Sequence, residues 1–103
     1  MNLKEIKEIL ANHREELKER FRVKEMGIFG SYAKGEQTEE SDLDMIVEVE
    51  DEESLGGFEF VGLMIDLEEY FERILGVKVH LASKSQVINS DKWKYLKNDL
   101  IYV

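Results

Sequence analysis

Gly30-Ser31 and Ser41-Asp42-Leu43-Asp44 are the residues whose types and spacing can do chemistry in this chain. Asp42 and Asp44 stand two apart where a run of branched residues begins, and positions i and i+2 of a strand share a face. Two carboxylates so placed repel, and each raises the other's pKa unless a cation lies between them. Mg²⁺ is the expected cation, since it takes hard oxygen ligands and keeps positions open for phosphate oxygens. Gly30 and Ser31 follow directly on another apolar run. Backbone N–H groups at the start of a helical turn can hold a phosphate. Glycine lets that phosphate approach closely, and the Ser31 hydroxyl adds a donor. A phosphate cradle on one strand end, beside a carboxylate pair on the next, is a layout for metal-assisted nucleotidyl transfer. Either half alone is common in turns and acidic loops; their order and spacing together are specific.

The elements that must position these residues follow from periodicity. Leu3, Ile6, Leu10, His13 and Leu17 recur at helical spacing, which predicts one helix over residues 2–20, opened by an Asn2–Glu5 cap pair. His13 reads as a structural residue of that helix. Residues 23–29 and 43–49 read as strands, with 30–41 a loop opened by a helical turn from Ser31. A long helix is expected over 58–75, with Phe60, Met64, Leu67, Phe71, Ile74 and Leu75 as its core stripe and Gly76 at its end. Val61, Leu63 and Ile65 widen its apolar surface beyond one stripe, so part of this helix is deeply buried or meets a partner. Residues 77–82 read as a third strand. Ser83 with Gln86 is expected to cap one short helix, and Ser90 another over 91–97, packed through Trp93 and Tyr95. The fold class is therefore α/β (α+β): a small mixed sheet of about three strands with helices packed on it. The short link between the first two strands favours an antiparallel pair, and the helical crossover to the third a parallel one.

Composition sets the outer limits. The 103 residues suit one domain over 1–103, and a net charge of −9 (23 acidic, 14 basic residues) disfavours direct nucleic-acid binding. The same charge suits docking to a basic protein. There are no cysteines, which excludes thiolate metal sites and a cysteine nucleophile. No apolar run reaches the roughly 18 residues of a membrane span, and no secretory leader is evident, so a cytoplasmic location is the expectation. With no basic patch evident, RNA is disfavoured as a substrate.

The segment from Gly30 to Val47 resembles the signature of the DNA polymerase beta-like nucleotidyltransferase superfamily: Gly-Ser, a spacer of about ten residues, then Asp-x-Asp. The Gly-Ser-x-Ala-basic-Gly and Ser-Asp-x-Asp forms resemble its minimal branch, the MNT antitoxins of HEPN/MNT toxin–antitoxin pairs. The resemblance implies that Gly30, Ser31, Lys34 and Ser41 bind ATP or another nucleoside triphosphate. It implies that Asp42 and Asp44 hold Mg²⁺ or Mn²⁺, and that AMP is transferred to a tyrosine hydroxyl of a HEPN-domain toxin. Lys34 stands where the family often has Arg, which keeps a basic role and loses bidentate phosphate contact. The family's third carboxylate lies in a Val-Asp-Leu pattern, and the matching segment here is Val79-His80-Leu81. His80 in that place suits Mn²⁺ or Zn²⁺ better than Mg²⁺, can serve as a base, or simply fills space. The expected function is thus a metal-dependent nucleotidyltransferase. Its alternative is a weak or inactive nucleotide-binding module that neutralises its partner by complex formation. The sequence leaves homo- or hetero-oligomeric assembly open.

Overall fold

A computed structural model describes residues 1–103. The opening helix begins as its sequence requires: Asn2 Oδ1 accepts from the Glu5 N–H at 2.9 Å, while Glu5 Oε1 accepts from the Asn2 N–H at 3.3 Å. This reciprocal cap satisfies two N–H groups that a helix start otherwise leaves unpaired. Asn2→Ala is expected to cost about 1 kcal/mol, or roughly 4–8 °C in Tm for a domain of this size, read by thermal denaturation.

The single helix expected over 2–20 is two helices, α1 (Leu3–Asn12) and α2 (Arg14–Phe21). The break falls at His13. Its Nδ1 donates to the Ile9 carbonyl at 2.8 Å, taking the acceptor its own backbone N–H would use, and that N–H bonds Leu10 O instead. His13 is therefore a structural residue, packed edge-on against Tyr70. Apolar spacing runs unbroken through the junction, so periodicity alone does not register it.

Strand β1 (Val23–Phe29) leads into α3 (Ser31–Lys34), and β2 (Leu43–Val49) follows. A 3₁₀ turn at Glu52–Ser54 precedes α4 (Gly57–Leu75), then come β3 (Val79–Ser83), α5 (Lys84–Val87), α6 (Trp93–Leu96) and β4 (Ile101–Tyr102). The sheet has four strands in the order β3-β2-β1-β4, one more than the sequence led us to expect. β1 pairs antiparallel with β2 and β4, and β2 pairs parallel with β3. β4 is only two residues long and gains strand character by lying against Gly27 and Ile28.

β2 is buried on both faces at its centre, with Ile46 covered on the side opposite the main core. Leu43, Met45 and Val47 are buried with Ile6, Leu10, Leu17, Leu67, Tyr70 and Phe71 in one core. A register shift in β1 between Val23 and Glu25 lets Val23 and Met26 share that core despite their odd separation. In α4 the buried positions are Leu67, Tyr70, Phe71 and Leu75. Phe60, Met64 and Ile74, expected in the core stripe, are only partly buried; Met64 and Ile74 pack against the core from its rim.

That edge is β3, whose outward N–H groups are already taken. Val79 N donates to Glu72 Oε2 at 2.9 Å and Leu81 N to Glu68 Oε1 at 3.1 Å, both from α4. The expected serine caps are not formed. Ser83 Oγ lies 2.8 Å from Ser85 Oγ, and Ser90 Oγ turns back to Val87 O, also at 2.8 Å. α6 accordingly begins two residues later than its sequence suggested. No helix is long and apolar enough to cross a membrane.

Candidate active site

Three strand ends assemble the site: the end of β1 at Gly30, and the starts of β2 and β3. Since Leu43 and Met45 point into the core, Asp42 and Asp44 take the opposite face. Register then places His80 of β3 directly beside Asp44. His80 Nε2 lies 3.0 Å from Asp42 Oδ2, and Nδ1 lies 3.6 Å from Asp44 Oδ1. One imidazole reaching both carboxylates requires that they project together. When protonated, the ring has an N–H for each.

The Asp44 carboxyl is held above the ordinary carboxylate range. Burial is the largest cause and the Asp42 charge adds to it, while His80 opposes both. A raised pKa in the folded state means that the folded protein binds this proton more tightly than the unfolded chain. Stability from this group is therefore present at low pH and lost as pH rises through the carboxylate range towards the raised value. The Tm advantage of Asp44→Asn over the native protein, without divalent cations, is expected to widen as pH rises across that window. Parallel thermal melts read it, and a constant difference would contradict it.

Gly30 joins the turn to the acid pair. Its backbone lies at φ 74°, ψ −150°, and a Cβ there would overlap Asp44 Oδ2. The bare backbone of residue 30 is thus what leaves room for the Asp44 carboxylate. Ser31 opens α3, and Lys34 at its end pairs with Asp99 Oδ2 at 3.5 Å. Ser41 Oγ accepts from the Thr38 N–H at 2.9 Å, which shapes the turn delivering Asp42. All seven residues singled out in the sequence lie on or directly beside these strand ends.

Asp42, Asp44 and His80 do not form a ready three-ligand metal cluster. Mg²⁺ is commonly held by one or two carboxylates together with substrate phosphates, so the oxygen pair fits such an ion without the imidazole.

Two features escaped the sequence. Tyr95 was expected to pack the last helix, yet it is 71% exposed. It lines a hollow of about 280 Å³ with Phe29, Gly30, Lys92, Leu96 and Asp99. The C-terminal segment therefore borders the turn, which no local signal could show across some 60 residues. A basic patch does exist. Arg14, Lys18 and Arg22 repeat every four residues on and just after α2, and Lys24 joins them around a hollow of about 490 Å³. It lies at the start of β1, the end away from Gly30.

A four-stranded mixed sheet with paired aspartates at one strand end and a glycine-serine turn on the next defines a nucleotide-transfer fold of the minimal type. The chain belongs to the nucleotidyltransferase domain family, whose description matches residues 10–103, and is by class a transferase. Its relatives include the Thermococcus cleftensis protein adenylyltransferase MntA, 44% identical over 103 residues, with 100% of this chain and 97% of that protein covered. A Methanocaldococcus jannaschii protein, provisionally named a protein adenylyltransferase, is 46% identical over 101 residues, covering 98% and 97%. The fold matches a solved structure provisionally described as a minimal nucleotidyltransferase, with TM-score 0.63, 24% identity and coverage of 98% and 95%. It also matches a toxin–antitoxin solved with AMP-PNP, with TM-score 0.53, 22% identity and coverage of 79% and 60%.

Proposed function

We propose that this chain transfers AMP from ATP to a tyrosine hydroxyl of a HEPN-domain toxin in the cytoplasm, and so acts as the antitoxin. The observation that carries this reading is the convergence of Asp42 and Asp44 beside the bare backbone of Gly30. Relatives named protein adenylyltransferases, and a toxin–antitoxin of like fold solved with an ATP analogue, support it. Asp42 and Asp44 would hold Mg²⁺ or Mn²⁺, which when bound supplies Lewis-acid stabilisation of the phosphate charge. Gly30 and Ser31 receive the triphosphate, with Ser41 shaping the approach. Lys34, already paired with Asp99, contributes positive charge at the rim. In the reaction the tyrosine oxygen bonds to the α-phosphorus, the bond from that phosphorus to the pyrophosphate oxygen breaks, and the phenolic proton is released. Incubation with α-labelled ATP, Mg²⁺ or Mn²⁺ and a HEPN-domain partner tests this; label on the partner is expected, and none with either metal removes the reading.

His80 favours a second reading, binding without turnover. It stands in the third position, where the family resemblance calls for a carboxylate, and its ring already engages both aspartates. His80→Asp is expected to raise the transfer rate by about tenfold or more. A rate that falls instead identifies His80 as a working member of the site.

A further inference from the structure

The first half of α4 carries an apolar surface that nothing in the chain covers. Phe58, Val61 and Ile65 repeat at three- and four-residue spacing and are 97%, 55% and 52% exposed. Beside them runs a groove of about 450 Å³ between α4, β3 and α5, floored by Phe60, Met64, Leu81 and Val87. Isolated exposed apolar residues are ordinary, but a continuous stripe flanking an apolar groove marks an interaction surface. Leu81 directly follows His80 in β3 but its side chain takes the other face of the sheet, so the groove shares a strand with the candidate active site without opening into it.

Two observations choose the occupant. The outward N–H groups of Val79 and Leu81 are occupied by Glu72 and Glu68. A partner therefore cannot add a strand there and must dock through side chains, which is how an amphipathic helix enters an apolar groove. Charge decides against a second copy. α4 carries Glu59, Asp66, Glu68, Glu69 and Glu72 against one cation, Arg73, in a chain of net charge −9. A two-fold contact would set this acidic helix against itself.

We propose that the α4–β3–α5 groove docks a basic amphipathic helix of the acceptor protein, with apolar side chains entering between Val61, Ile65 and Leu81. This rests on the proposed transfer to a protein acceptor and assigns the surface that would hold that acceptor.

The test is Val61→Glu with Ile65→Glu, at exposed positions where the fold tolerates charge. The variant and the native chain are each co-expressed with a HEPN-domain protein from the same genome and compared by gel filtration with light scattering. The native pair is expected to co-elute, with binding weakened by salt. The variant is expected to lose at least about tenfold in affinity while keeping its Tm and its affinity for ATP. Asp42→Asn is expected to co-elute as the native chain does while losing AMP labelling, which separates docking from transfer; a native chain that forms the complex yet leaves the partner unlabelled would overturn only the transfer reading. A variant that binds as tightly as the native chain overturns the groove. So does a native chain that alone is a dimer split by these substitutions, because the face is then a contact between copies. A native chain that forms no complex overturns it as well.

Discussion

Replacing Asp42 and Asp44 together by asparagine is expected to lower AMP transfer by about 10³-fold or more while leaving the protein folded and somewhat more stable. The rate effect follows from charge. Asparagine keeps the shape and one acceptor of each side chain but removes both negative charges, and with them the oxygen pair proposed to hold a divalent cation over the phosphates. Losing such stabilisation of developing charge is worth several kcal/mol, and each 1.36 kcal/mol is about tenfold in rate. The stability effect follows from the same charges. Burial and the neighbouring Asp42 charge hold the Asp44 carboxyl above its ordinary range, so its ionised form disfavours the folded state near neutral pH. Single-turnover labelling with α-labelled ATP, beside thermal melts without metal, reads both. A variant that transfers within about tenfold of the native rate would dismantle the assignment of these residues.

Gly30→Ala is expected to lose on both counts. With φ 74° and ψ −150°, residue 30 occupies a region essentially open to glycine alone, and strain there costs about 1–3 kcal/mol. The added methyl also meets the Asp44 carboxylate, which must move. A drop near 2 kcal/mol corresponds to roughly 8–16 °C in Tm for a domain of this size. Displacement of a positioned carboxylate by about 1 Å can cost about 10²-fold in rate. Gly35→Ala is the control, since it also has positive φ but meets nothing within 4 Å. It should cost stability through backbone strain and leave transfer near the native rate. Equal loss of activity at both positions would mean that the fit between Gly30 and Asp44 has no special role.

What was legible in the sequence was what local chemistry dictates. β1 and β2 fall on residues 23–29 and 43–49 as expected, because branched runs bounded by glycine and polar loops leave little choice. The shared face of Asp42 and Asp44 followed from strand alternation. Features created by distant pairing were not legible. β4 exists only because Gly27 and Ile28 offer it an edge. The break at His13 depends on a side chain competing for a backbone carbonyl, and Ser90 turned away from its expected cap for the same kind of reason. The contact of one imidazole with both aspartates depends on the register of β2 against β3, which residue types do not encode. Tyr95, Lys92 and Asp99 reach the glycine turn only through the path of the C-terminal segment.

β2 separates its duties by side: odd positions hold the core, while even positions 42 and 44 carry the acids. Chemistry can therefore be erased without altering the outline of the molecule. A copy silenced at those two positions would still present the same contours to whatever the working copy recognises. On the proposed transfer reading, a silent form made beside the working one would compete with it for the acceptor, in proportion to its abundance.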